Sequence, residues 1–218
     1  MGHPLGGTGC IGAFVILPDG RPGILSMDYV LSPPRAKRGD MIHQPGPLDR
    51  DVLTGQTRAA TLLRPILEKA GVTASIAALL PGIAASGNRV PEVFGSMAGR
   101  HIGPPTAAED GVEVFGLGRH GLMRGRITGA IPDGLKIWGN PSAPPRQLAG
   151  AIAVAGFDGA FSQPGDAGAL VCRVADGAAI GLIAAAGEQA SWLLPLAPVL
   201  REAKLSWADP SDQLSGQG

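Results

Sequence analysis

Cysteine is nearly absent from this 218-residue chain: there are two, Cys10 and Cys172. That excludes a disulfide framework, and their separation does not suit a zinc site, so free buried thiols in a reducing compartment are the expectation. Excess charge of either sign is missing too, with 18 basic against 18 acidic residues. No global field therefore recommends nucleic acid or an anionic membrane as partner. Long hydrophobic runs are lacking. The run "IGAFVIL" stops at Pro18 and has no basic leader, and nothing approaches the roughly 18 apolar residues of a membrane span. With no targeting signal legible, a cytoplasmic location is expected. The four histidines, His3, His43, His101 and His120, show no metal-ligand spacing, and each reads as a surface or loop residue.

What the chain does have is glycine and proline, 34 and 20, amid 44% hydrophobic residues. Such a level can signal low complexity. Here the two residue types punctuate short apolar runs without a repeat period, which favours many short strands joined by tight turns. "GAFVIL" at residues 12–17 reads as a strand, "PDGRPG" as a turn, and "ILSMDYVL" as a returning strand. Residues 33–51 form a polar, proline-rich loop in which Arg35, Lys37 and Arg38 read as solvated. "TRAATLLRPILEKAG" is open between a helix, suggested by Leu63, Ile66, Leu67 and Ala70, and an edge strand, suggested by Pro65. "VTASIAALL", "EVFGLGRHGLMRGRITGAI", "GLKIWG" and "QLAGAIAVAG" supply further strands. "GALVCRV" and "AAIGLIAAAG" flank an Asp-Gly turn. "LAPVLREAKL" has helical spacing, and "ADPSDQLSGQG" reads as a polar, frayed end. The count points to an all-β barrel or sandwich.

Four segments in order, "GAFVILPDGRPGILSMDYVLS", "VTASIAAL", "VFGLGRHGLMRGRITGA" and "FSQPGDAGALV", resemble bacterial trypsin-like serine peptidases. In that family the first reads like "LSNNHVL" around the base histidine, the second like "VDAAIA" around the acid, the third like "VGRTTGLTRGRV", and the fourth like the nucleophile loop "FSQPGDSGAL". The resemblance spans residues 7 to about 200. It implies two six-stranded antiparallel β-barrels of the chymotrypsin type with the active site between them. The barrels would cover residues 7–85 and 110–195, with a short terminal helix over 196–205 and a polar tail over 207–218. "GLGRHG" is one residue shorter than the family's corner. No metal or other cofactor is implied.

Carried over position by position, the base falls on Tyr29, the acid on Thr73 and the nucleophile on Ala167. The triad needs a hydroxyl to attack, an imidazole to take its proton, and a carboxylate to fix the imidazole's tautomer. Ala167 has no nucleophilic atom, a phenol with pKa about 10 is about a thousandth ionised at neutral pH, and Thr73 carries no charge. Losing one member typically costs about four to six orders of magnitude in kcat. A laboratory substitution to trap substrate would explain Ala167 and leave Tyr29 and Thr73 unexplained. Asp28, Ser26, Ser75 and Ser162 lie near these positions and read as loop or strand residues, and His120 in the glycine corner is the histidine to test.

The resemblance also says what outlasts the chemistry. Gly165 and Ala167, on either side of Asp166, would still offer the main-chain N–H groups of an oxyanion hole, able to hold a peptide carbonyl or carboxylate without cutting it. The pocket base would fall on Phe161. Arg119, Arg124 and Arg126 alternate with apolar residues and read as the wet face of a strand rather than a nucleic-acid site. The expectation is a catalytically inactive trypsin-like domain that binds a protein or peptide segment, as a scaffold or recruitment module of a multiprotein system. Inactive bacterial homologues of this kind occur in defence and signalling proteins. The alternative is a serine endopeptidase, either with an unorthodox site or with its serine replaced.

Overall fold

The structure is a computed structural model. It describes residues 9–44, 46, 57–66, 74–85, 87–91, 97, 99–131, 133–137, 145–209 and 214–215. In chain order the elements are β1 (Ala13–Ile16), β2 (Pro22–Met27), α1 (Asp28–Leu31), β3 (Met41–Gln44), β4 (Thr57–Ile66), β5 (Ala74–Leu79) and β6 (Ala84–Ala85). They continue with β7 (Glu113–Gly118), β8 (Gly121–Ile131), β9 (Leu135–Ile137), β10 (Arg146–Leu148), β11 (Ala151–Gly156), β12 (Leu170–Arg173), β13 (Ala179–Ala186) and β14 (Ser191–Pro195). The chain closes with α2 (Leu196–Ala203), β15 (Ser206–Trp207) and β16 (Leu214–Ser215).

The chain is mostly β, as its punctuation suggested. The C-terminal half forms a closed barrel, β11-β14-β13-β12-β7-β8, and the N-terminal half a six-stranded sheet, β15-β1-β2-β5-β4-β3. Every pairing within these two sheets is antiparallel. One aliphatic cluster runs through both halves. Leu25, Met27, Val30 and Leu31 from the first meet Phe115, Leu170, Leu182 and Leu194 from the second. Each such fully buried side chain contributes about 1.5–3 kcal/mol, so the two halves are joined by packing as well as by the chain.

Four local readings are corrected. "ILSMDYVL" is not one strand: β2 ends at Met27 and Asp28–Leu31 make a helical turn that buries Asp28, Val30 and Leu31. A short apolar run fits either state, and the tertiary packing of Val30 and Leu31 decides. Within the expected loop 33–51, Met41–Gln44 is a strand paired to β4, with Ile42 fully buried. One inward apolar side chain among polar neighbours left little to read. "QLAGAIAVAG" divides into β10 and β11 at Ala149–Gly150, where Gly150 has φ +59°. Part of the end expected to fray is held: β15 pairs with β1 and β16 with β6, while Asn88 donates through Nδ2 to Ala208 O at 3.0 Å.

The open segment "TRAATLLRPI" is strand β4. Its pairing with β3 uses Thr57–Thr61, so Pro65 lies past the end of that ladder, on the side where a missing N–H costs nothing. Residues 67–73, including Thr73, lie outside the described residues. At the other end, α2 buries Leu196, Val199 and Leu200, in agreement with the helical spacing.

Candidate functional site

The loop before β12 is pinned from three directions. The Asp166 carboxylate accepts from Gln163 N–H through Oδ2 at 2.9 Å, and Asp166 N–H donates back to Gln163 O at 3.0 Å. Gly168 N–H donates to Ile183 O at 2.8 Å, which fastens the loop to β13. From the N-terminal segment, Cys10 N–H donates to Ala167 O at 2.8 Å and the Cys10 thiol to Gly165 O at 3.7 Å. Gly168 sits at φ +81°, and a Cβ there would collide with Ser26 Oγ, so β2 and this loop approach as closely as a glycine permits.

This bonding leaves two donors. Among the described residues, neither Gly165 N–H nor Ala167 N–H has an acceptor. The carbonyl of Asp166 accepts from Ala169 N–H at 2.9 Å. In a planar trans peptide the adjoining N–H, that of Ala167, points the opposite way.

Tyr29 and Ala167 meet at the same junction of the two halves. The Tyr29 hydroxyl donates to Ala184 O at 2.9 Å, next to the Ile183 that holds Gly168. The β13–β14 register shifts between Ile183 and Ala185, so Ala184 has no ladder partner and its carbonyl is open to this bond. A Cβ built on Gly9 would lie 2.7 Å from Ala167 O and 3.1 Å from Val30 Cγ1, which places the residue after Tyr29 and the loop on either side of one glycine. Burial, with the Asp28 carboxylate beside it, pushes the Tyr29 phenol's pKa further up. The third position, Thr73, lies outside the described residues.

Neighbouring hydroxyls are occupied or sealed. Ser26 Oγ donates to Cys10 O at 2.7 Å, Ser162 Oγ and Ser191 Oγ share a buried hydrogen bond of 2.7 Å, and the fully buried Ser75 hydroxyl has no partner. Phe161 is 3% exposed and packs inside the barrel against Gly116 and Gly125, so its ring is core rather than the floor of an open pocket. Arg124 and Arg126 are exposed and alternate with buried Gly125 and Ile127 along β8, the pattern of a wet strand face. Arg126 lies 3.3 Å from Glu113 and 5.9 Å from the centre of the Phe157 ring.

Two pairings carried no local signal. Asp28, buried, forms an ion pair with Arg146 of β10, while its Oδ1 finds no partner. Burial raises the Asp28 pKa against the lowering influence of Arg146. In the second pairing, Asp166 Oδ1 lies 3.1 Å from His120 Nδ1 and accepts from His120 N–H at 3.3 Å. The histidine singled out from the sequence thus touches the residue before Ala167. A separate cavity of 660 Å³ opens between Gly9–Phe14, Asn88–Pro91 and Leu117–Arg119. Neither Tyr29 nor Ala167 lines it.

No protein-family model and no curated protein matches the chain. Solved structures do. Chymotrypsin from Cellulomonas bogoriensis superposes with a TM-score of 0.60 at 18% identity, over 90% of this chain and 88% of that one. Nocardiopsis protease gives 0.63 at 14% identity over 90% of each chain. Protease A of Thermobifida fusca gives 0.59 at 13% identity, over 91% of this chain and 90% of that one. The closed barrel, the second sheet and the terminal helix are those of the chymotrypsin fold.

Proposed function

We propose that this chain is a chymotrypsin-fold domain that binds an extended protein segment without cutting it. The observation that carries the reading is the pairing of an alanine methyl at the loop position with two N–H groups left without acceptors. Gly165 and Ala167 can donate to a carbonyl or carboxylate, but Ala167 has no atom to attack it. Tyr29 supports the same conclusion, since its hydroxyl proton is already given to Ala184 O and its ionised form is disfavoured by burial. The strand edge beyond Ile183 offers backbone groups along which a segment can lie.

A second reading, a hydrolase with a displaced site, draws on one observation. The buried Asp166 carboxylate holds the His120 ring as an orienting acid holds a catalytic imidazole. Among the described residues no hydroxyl is hydrogen-bonded to that ring. Incubation with unfolded casein and with a fluorophosphonate probe separates the readings. The binding domain leaves casein intact and stays unlabelled; a covalent adduct on a defined serine supports the hydrolase.

A further inference from the structure

Two side chains of the β7–β8 turn crowd the unbonded donor at Gly165. A Cβ built on Gly165 would lie 3.2 Å from Arg119 Cδ, 3.4 Å from His120 Cε1 and 3.6 Å from Arg119 Nη1. Gly165 itself has φ +104°, so the close approach needs a residue without a side chain. The His120 ring is not free to turn away, because Nδ1 faces Asp166 Oδ1 at 3.1 Å, and this leaves Nε2 as the outward nitrogen. Asp166 is the acid facing this corner. It is 1% exposed, with Oδ1 engaged by the His120 N–H and ring and Oδ2 by Gln163 N–H, so its charge is directed into the loop.

A main-chain donor lacking an acceptor, a guanidinium and an outward imidazole nitrogen therefore share one rim. A neutral peptide carbonyl would use the N–H alone. A carboxylate also uses the cations, through charge-assisted bonds about twice as strong as neutral ones.

We propose that the Gly165–Arg119–His120 corner is a carboxylate site, and that the segment bound by this domain places a carboxylate there. The inference rests on the peptide-binding reading and narrows it to partners carrying either a free C-terminus or an Asp or Glu side chain at that point. It invokes no bond making or breaking.

The test uses the full chain labelled with 15N, with amide shifts followed during titration. Four probes are compared at matched ionic strength: sodium acetate, acetyl-tetraalanine with a free carboxylate, the same peptide amidated, and an amidated peptide with one glutamate. The expected result is movement of the Gly165 and Ala167 amides with acetate and the free-acid peptide, and at least tenfold weaker response to the amidated alanine peptide. A strong response to the glutamate peptide assigns a side-chain carboxylate, and its lack assigns the chain terminus. Arg119→Gln and His120→Gln, each checked for an unchanged melting temperature, are expected to weaken acetate and free-acid binding roughly tenfold. Equal response to amidated and free-acid peptides overturns the carboxylate site while leaving peptide binding intact. Response to acetate without response to any peptide supports the site and counts against the peptide-binding reading. No movement with any probe overturns both.

Discussion

The Tyr29 hydroxyl reaches 2.9 Å across the junction of the two halves to the carbonyl of Ala184. The residue aligned with a proton acceptor is instead a donor in a structural bond, and the strand edge beside Ala167 is fixed by it. Replacing Tyr29 with Phe removes one hydrogen bond and leaves a carbonyl unpaired at a half-buried position. The expected loss is about 1–2 kcal/mol, read as a lower urea midpoint at constant m-value. An unchanged midpoint would show that the bond contributes nothing.

Restoring the hydroxyl alone should not restore chemistry. Ala167→Ser places an oxygen on the loop, but Tyr29 cannot take its proton, and the triad's members fail together. The variant is expected to remain unlabelled by fluorophosphonate and to cleave casein at the background rate. Labelling of this single variant would mean that a base is already in reach, and loss of the labelling in Ala167→Ser/His120→Gln would identify it as His120.

Asp28 gives a pH signature. Burial raises its folded-state pKa above the unfolded value of about 3.9. Between the two values the folded state binds the proton more tightly, so this contribution is fully present below about pH 4 and is lost as pH rises through the folded value. Asp28→Asn removes the titration. Wild-type stability minus that of Asp28→Asn should therefore fall as pH rises from about 3.5 to 7, measured by urea unfolding across the range. A difference independent of pH, or growing with pH, would show that the Arg146 partner outweighs burial.

Gly168 is the backbone test. Its φ of +81° and its contact with Ser26 leave no room for a methyl. Gly168→Ala should cost about 2–3 kcal/mol, a fall in Tm of roughly 5–10 °C for a chain of this size. A shift under 2 °C would show that β2 and the loop are not in close contact.

How much of this was legible depended on the range of the signal. The fold class followed from glycine and proline punctuation, and the loop from a contiguous string ending in "PGDAGALV", because strands, turns and such loops are specified by near neighbours. Strand β3 was hidden, since a single buried Ile42 sets no period. The turn at Asp28–Leu31 was hidden because its apolar pattern also fits a strand, and only contacts with distant elements choose between them. Arg146 with Asp28 and His120 with Asp166 were out of reach for another reason. Their partners are 118 and 46 residues apart, and ion pairs at such separations leave no mark in local pattern.

Intact-mass measurement after prolonged exposure to an excess of fluorophosphonate, alongside a casein-release assay on the same preparation, tests the catalytic silence of this cleft most directly. The predicted outcome is an unmodified mass and no release above buffer. A stoichiometric adduct mapped to one serine, with casein release that disappears when that serine is replaced, would contradict the account.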